Sequence, residues 1–141
     1  MNELDFQAKL VKNVKDGGGF AFKVATRHMA GIPDVFLKPR VHQAVFVECK
    51  VHTKPNTLPL ALTALQCETL KRLRAAGQHC GWMVLHDLGP TDKVAYAGAD
   101  TSSLIRPNGN CDVFHLSGPK WPLDEMVRSI VHWSEMEVRK L

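Results

Sequence analysis

Asp34, Glu48 and Lys50 are the residues whose types and spacing suit chemistry. They lie on two apolar runs, Gly31-Ile32-Pro33-Asp34-Val35-Phe36-Leu37 and Ala44-Val45-Phe46-Val47-Glu48-Cys49-Lys50-Val51, joined by the polar, Pro-interrupted Lys38 to Gln43. Runs rich in β-branched and aromatic residues around such a connection predict a hairpin. Side chains alternate faces along a strand, so Glu48 and Lys50 share one face and Cys49 points into an apolar layer. If the Asp34 end of the first strand pairs near Glu48, a second carboxylate joins that face. Two carboxylates, the backbone carbonyl of Cys49 and several waters suit a hard cation, Mg²⁺, with Mn²⁺ as a substitute. An ion so held lowers the pKa of a bound water and polarises a phosphoryl oxygen, while Lys50 orients the attacking water or stabilises charge growing on the phosphate. A solvated edge strand with a Pro-Asp turn is the competing reading of the same residues. Glu-x-Lys alone has little weight; the whole order of Gly-x-Pro-Asp, strand, connection and Glu-x-Lys favours the site.

The elements that must position these groups follow from periodicity. Residues 2 to 16 read as a helix on Phe6, Leu10 and Val14, ended by Gly17 to Gly19. Glu3 and Gln7 fall in the same row as Leu10 and Val14, at the rim of the buried face. From there Glu3 reaches a metal or its waters, or else simply favours the first turn through the macrodipole. No Gly-Lys-Ser/Thr follows the glycine run, so it reads as a link and not as a phosphate loop. Phe20 to Ala25 reads as a strand carrying Lys23, and Thr26 to Gly31 as a loop into the site carrying Arg27 and His28. Gly31 gives backbone freedom just before Pro33. Lys38 and Arg40 in the connection, and His52 and Lys54 in the polar stretch after Val51, complete the basic groups placed to meet a phosphate backbone. A helix is expected from Leu58 or Pro59 to Ala76, with Leu62, Leu65, Leu70 and Leu73 buried, Gln66 facing the sheet, and Lys71, Arg72 and Arg74 on a solvated face. Cys80 to Leu85 reads as a buried strand and Val94 to Ala97 as a short one. Residues 98 to 122 read as irregular, and Leu123 to Lys140 as a C-terminal helix in which Met126 and Trp133 make core or oligomer contacts.

With Pro33-Asp34 and Glu48-x-Lys50 in these positions, the chain resembles the PD-(D/E)xK nucleases. It looks most like their small stand-alone members, of the VRR-NUC type and the phage or archaeal junction-resolving endonucleases. The resemblance spans roughly residues 1 to 85 and implies a restriction-endonuclease-like α/β core: a central mixed sheet of four or five strands flanked by helices, plus a C-terminal helix. It also implies roles. Asp34, Glu48, the carbonyl of Cys49 and Glu3 would bind the metal, and Lys50, Glu3 and Gln66 would assist catalysis. Gln66, Leu70, Leu73 and Gly77 match the pattern of the helix that follows the Glu-x-Lys strand in these nucleases. The implied activity is Mg²⁺-dependent hydrolysis of DNA phosphodiesters, selective for branched DNA or junctions, for which a homodimer supplies paired cuts. A general or sequence-directed nuclease, or a non-catalytic nucleic-acid-binding module on the same fold, are the other readings.

Composition agrees with these expectations. The 141 residues fit one nuclease domain, with a motif-bearing core to about residue 97 followed by a C-terminal loop and helix over 98–141. No apolar run is long enough for a membrane span, and the first residues lack the features of a signal peptide, so a cytoplasmic protein is expected, acting in the host cytoplasm if phage-encoded. Lys plus Arg exceed Asp plus Glu by 18 to 14, a balance that suits an acidic partner such as DNA. The four cysteines lack Cys-x-x-Cys spacing and are expected to be reduced, with Cys111 exposed in a polar loop. His79, His86, His115 and His132 are expected at the surface or in loops, with a mixed His/Cys zinc site left open.

Overall fold

The computed structural model describes residues 1–24, 30–53, 62–101 and 110–140. The expectations for Arg27, His28 and Lys54 lie outside them. The described elements in chain order are α1 (Glu3–Asp16), β1 (Phe20–Lys23), β2 (Val35–Lys38), β3 (Val45–His52), α2 (Ala64–Ala75), β4 (Cys80–Asp87), β5 (Lys93–Gly98), β6 (Cys111–Leu116) and α3 (Leu123–Arg139).

The six strands form one sheet in the order of the chain. Neighbouring strands run antiparallel except β3 and β4, which are parallel. A parallel pair needs a crossover, and the segment carrying α2 makes it. The sheet is mixed, as expected, but it has six strands, because β6 lies in the stretch read as irregular. Cys111 opens β6 and is buried, not exposed in a loop. It stands in register with Gly98, which has no side chain to displace it.

One sheet face is covered by α1 and α3. Phe6, Leu10 and Val14 of α1 and Leu123, Met126, Val127 and Ile130 of α3 share a core with Val35, Leu37, Val45, Val47, Cys49, Met83 and Leu85. Removing these side chains from water is the main favourable contribution to folding, at roughly 25 cal/mol per Å² of apolar surface. On the other face Leu62 and Leu70 pack with Cys80, Trp82 and Val84. With apolar side chains on both faces, β4 is a buried central strand, which explains its unbroken apolar run. His86 belongs to that strand and is buried, contrary to its expected surface position.

The helix before β4 starts later than the spacing of leucines predicts. Thr63 is its N-cap: the Thr63 hydroxyl accepts from the Gln66 N–H and the Gln66 side chain accepts from the Thr63 N–H, a reciprocal capping box. Leu65, expected in the buried stripe, is about half exposed at 49%. Arg74, expected on a solvated face, is buried and donates to the carbonyls of Ala99 and Cys80. Burial lowers its pKa, against the opposing pull of the Cys80 thiol and of Glu137 and Asp100.

Candidate active site

The hairpin of β2 and β3 brings the two carboxylates together. Val35 stands opposite Val47 and Phe36 opposite Phe46. One step before β2, the Asp34 N–H donates to the Val47 carbonyl at 3.0 Å. That register sets Asp34 beside Glu48. The Cys49 N–H then donates to Asp34 Oδ2 at 2.8 Å, fixing the aspartate across the strand end. The N–H and C=O of one strand residue point to the same edge, so the Cys49 carbonyl faces the Asp34 side as well. The Cys49 thiol points the other way into the core, where burial first, then the charge of Asp34, pushes its pKa up and keeps it neutral.

Glu48 is 4% exposed and is met from three sides. The carboxyl of Asp34 lies near enough to act on its titration. Gln66 Nε2 donates to Glu48 Oε1 at 3.0 Å, and Lys50 Nζ lies 3.9 Å from the same oxygen. Burial is the largest influence on its pKa, followed by the charge of Asp34 and the hydrogen bond with it. Together, against the opposing charge of Lys50 and with a small push from Glu3, they raise it from 4.5 to about 8. Two carboxyls at the closed end of a sheet cannot both ionise cheaply. At neutral pH the proton stays on Glu48.

A dication resolves that conflict, and the donor set suits it. The groups available are carboxylate and carbonyl oxygens, the hard ligands that Mg²⁺ or Mn²⁺ prefers. Among the described residues no group of three or more His, Cys, Asp or Glu side chains gathers in metal-ligand geometry, so Asp34 and Glu48 stand as a pair and no mixed His/Cys cluster forms there. Glu3 sits in the exposed first turn of α1 and reaches the pair through its charge.

Gln66 has two attachments. Its oxygen accepts from the Thr63 N–H at 2.9 Å while its amide nitrogen reaches Glu48. The helix cap thus aims the amide at the site. The Thr-x-x-Gln signature marks Thr63 in the sequence, a residue that helical spacing alone does not pick out. Behind it, Gly31 has φ +85°, and a Cβ there would lie 2.6 Å from Leu65 Cγ and 3.0 Å from the Leu65 backbone. Only glycine lets the loop entering Asp34 lie against α2.

The remaining basic residues are spread out. His52 follows Glu48 and Lys50 on the same face of β3 and stacks on His86, ring centroids 5.6 Å apart, which adds His86 to the rim of the site. Lys38 shares that face at the far end of β2 and donates to the Pro39 carbonyl at 2.7 Å. Arg40 is exposed, its side chain lying beside Gly18. Lys23, opposite Val35, lies on the α1 side and approaches the Leu4 carbonyl at 3.5 Å, so it is not brought to the carboxylate pair.

No protein-family profile and no curated protein sequence matches the chain. Among solved structures, it is similar to Archaeoglobus fulgidus Hjc, a Holliday junction resolvase from an archaeal hyperthermophile. Identity is 20%, the match covers 89% of this chain and 98% of that one, and the TM-score is 0.51. At that identity the likeness establishes the fold, a restriction-endonuclease-like mixed sheet with flanking helices and a C-terminal helix.

Proposed function

We propose that the chain is a metal-dependent endonuclease that hydrolyses DNA phosphodiesters, selective for branched DNA. The observation that carries this reading is the pairing of half-buried Asp34 with buried Glu48, with Lys50 and Gln66 on the same Glu48 oxygen. A solvated edge strand would need none of these partners. Selectivity for branches rests on the fold shared with a protein described as a Holliday junction resolvase.

Asp34, Glu48 and the Cys49 carbonyl would hold Mg²⁺, for which Mn²⁺ would substitute, and Glu3 adds negative charge nearby. When bound, the ion makes a water nucleophilic at neutral pH and offsets charge on the phosphate. Lys50 places a positive charge against Glu48 and toward the incoming phosphate, and stabilises charge that develops there. Gln66 holds Glu48 in its orientation. Lys38, Arg40 and His52, with Arg27, His28 and Lys54 of the adjoining segments, contact the DNA backbone, whereas Lys23, on the α1 side of the sheet, does not. The whole chain acts as one nuclease domain in the cytoplasm.

The test is cleavage of labelled single strand, duplex, flap and four-way junction with Mg²⁺ or Mn²⁺, with Asp34→Ala, Glu48→Ala and Lys50→Ala beside the parent protein. Junction or flap cutting that each substitution abolishes is the expected result. Metal-dependent product from Glu48→Ala equal to the parent's would sink the nuclease reading. Salt-sensitive binding without any product would identify a non-catalytic module instead.

A further inference from the structure

The face that carries Asp34 and Glu48 also carries a row of phenylalanines. Phe22, Phe36 and Phe46 are cross-strand partners on β1, β2 and β3. Phe22 and Phe36 are stacked with centroids 5.2 Å apart, Phe36 meets Phe46 edge-on at 5.1 Å, and Phe20 meets Phe22 edge-on at 5.8 Å. The carboxylate pair is the next row of side chains on β2 and β3, two residues from Phe36 and Phe46 and so about 7 Å from them, with Phe22 one strand over from Phe36 and Phe20 one row further along β1.

Phe46 joins the core beneath α2 and Phe36 is half-buried, but the two rings on β1 fill no core: Phe20 is 63% and Phe22 41% exposed, while α2 packs on β4, away from β1. Exposed aromatic rings lose the burial that normally stabilises them, so their position beside a site calls for an occupant. The electrostatics of the strip indicate its nature. Apart from the site pair, the residues on this face of β1, β2 and the start of β3 include no carboxylate. Lys38 stands opposite Phe20 at one end and Lys50 beyond the pair at the other. A ligand with flat apolar faces and an anionic backbone matches rings bounded by cations.

We propose that Phe20 and Phe22 form a stacking platform for unpaired nucleobases next to the scissile phosphate. Resting on the nuclease reading, this names the substrate class more closely: DNA with bases freed from pairing at a branch, flap or end. In paired duplex the faces of internal bases are already stacked on their neighbours and offer the rings nothing. Bases released at a branch expose theirs, and each stacked base adds to affinity without regard to sequence.

The experiment measures binding by fluorescence anisotropy in EDTA, where hydrolysis does not intervene, for flap, junction and fully paired duplex. Because both rings are exposed, Phe20→Ala/Phe22→Ala keeps the fold, checked by its melting temperature. Expected is about a tenfold loss of affinity for flap and junction, with duplex binding unchanged. Abasic sites in place of the flap's unpaired bases should lower the parent's affinity by the same factor and leave the double variant unaffected. Phe20→Leu/Phe22→Leu, which keeps apolar bulk but no ring, should lose affinity like the alanine pair. The platform is overturned if the leucine pair binds like the parent, or if duplex binding weakens equally. It is also overturned if the parent is a dimer and the alanine pair a monomer, since the rings then cover a second copy of the chain. A ring-dependent preference in a protein whose cleavage ignores Glu48→Ala would leave the platform standing and remove the nuclease reading, so the two fail separately.

Discussion

Glu48 concentrates the chemistry of the molecule in one proton. Its folded-state pKa of about 8 stands above the ordinary 4.5, so the folded protein binds this proton more tightly than the unfolded chain does. The associated stability is fully present below about pH 4.5 and is lost as pH rises through about 8, to a total of a few kcal/mol. Unfolding by urea in EDTA should therefore show stability falling between pH 5 and pH 9, and Glu48→Gln, which cannot ionise, should flatten that fall. An undiminished slope in the Gln variant would place the titration elsewhere. The same proton must leave when a dication takes its place. Calorimetric titration with Mg²⁺ at pH 7 in buffers of differing ionisation enthalpy should thus report release of about one proton, and none from Glu48→Gln. Gln66 permits a further separation at this scale. Gln66→Glu retains an oxygen for the Thr63 N–H, preserving the cap, but sets a third carboxyl against Glu48. Cleavage should fall at least tenfold, equivalent to about 1.4 kcal/mol, with little loss of helix stability. Full activity in that variant would reduce Gln66 to a capping residue.

The elements explain why a pair of residues far apart in sequence meets with little tolerance. Leu65 of α2 closes on Gly31, and Gln66, the next residue, touches Glu48. Any side chain at Gly31 both strains a φ of +85° and displaces the helix that carries the amide. Gly31→Ala should cost about 1–3 kcal/mol in a denaturation experiment and lower cleavage in proportion to the displacement of α2. Thr63→Ala should cost about 1 kcal/mol through the lost cap and also weaken activity, because the cap aims Gln66. Equal activity of Gly31→Ala and the parent would mean that α2 is not part of the site. The local rules explain which parts of this arrangement are legible in sequence. Period-two alternation and the hairpin connection are enough to put Asp34, Glu48 and Lys50 on one face, and helical spacing from Leu70 turns Gln66 toward the sheet. The start of α2 is misread because the leucine pattern extends beyond the Thr63 cap. Strand β6 is missed because Cys111 to Leu116 interleaves Asp112 and His115 within a Gly- and Asn-rich context, and its pairing with β5 is a tertiary choice. The burial of Arg74 is likewise set by carbonyls of distant residues, Ala99 and Cys80, which no local spacing encodes.

At the scale of the whole molecule the proposed activity raises the question of how one small site would act on a branched substrate. Resolution of a four-way junction requires two cuts related by the symmetry of the junction, and one chain carries one Asp34–Glu48 pair. A two-fold dimer supplies the second site and fixes the separation and direction of both. With four more basic than acidic residues, each copy also brings a modest attraction to phosphate, which two copies add across one junction. A resolving enzyme should therefore sediment as a dimer at the concentrations where it cuts, and its binding should weaken steeply with salt. Mixing parent protein with excess Glu48→Ala protein would test the coupling of the two sites. Heterodimers holding a single intact pair should nick one strand of the junction and leave the paired cut unmade. A monomer that still yields paired, symmetric cuts would show that the sites act in succession, and the dimer would lose its role. If only flaps or ends are cut, one site suffices, and the activity of the mixture should follow the fraction of parent chains in strict proportion.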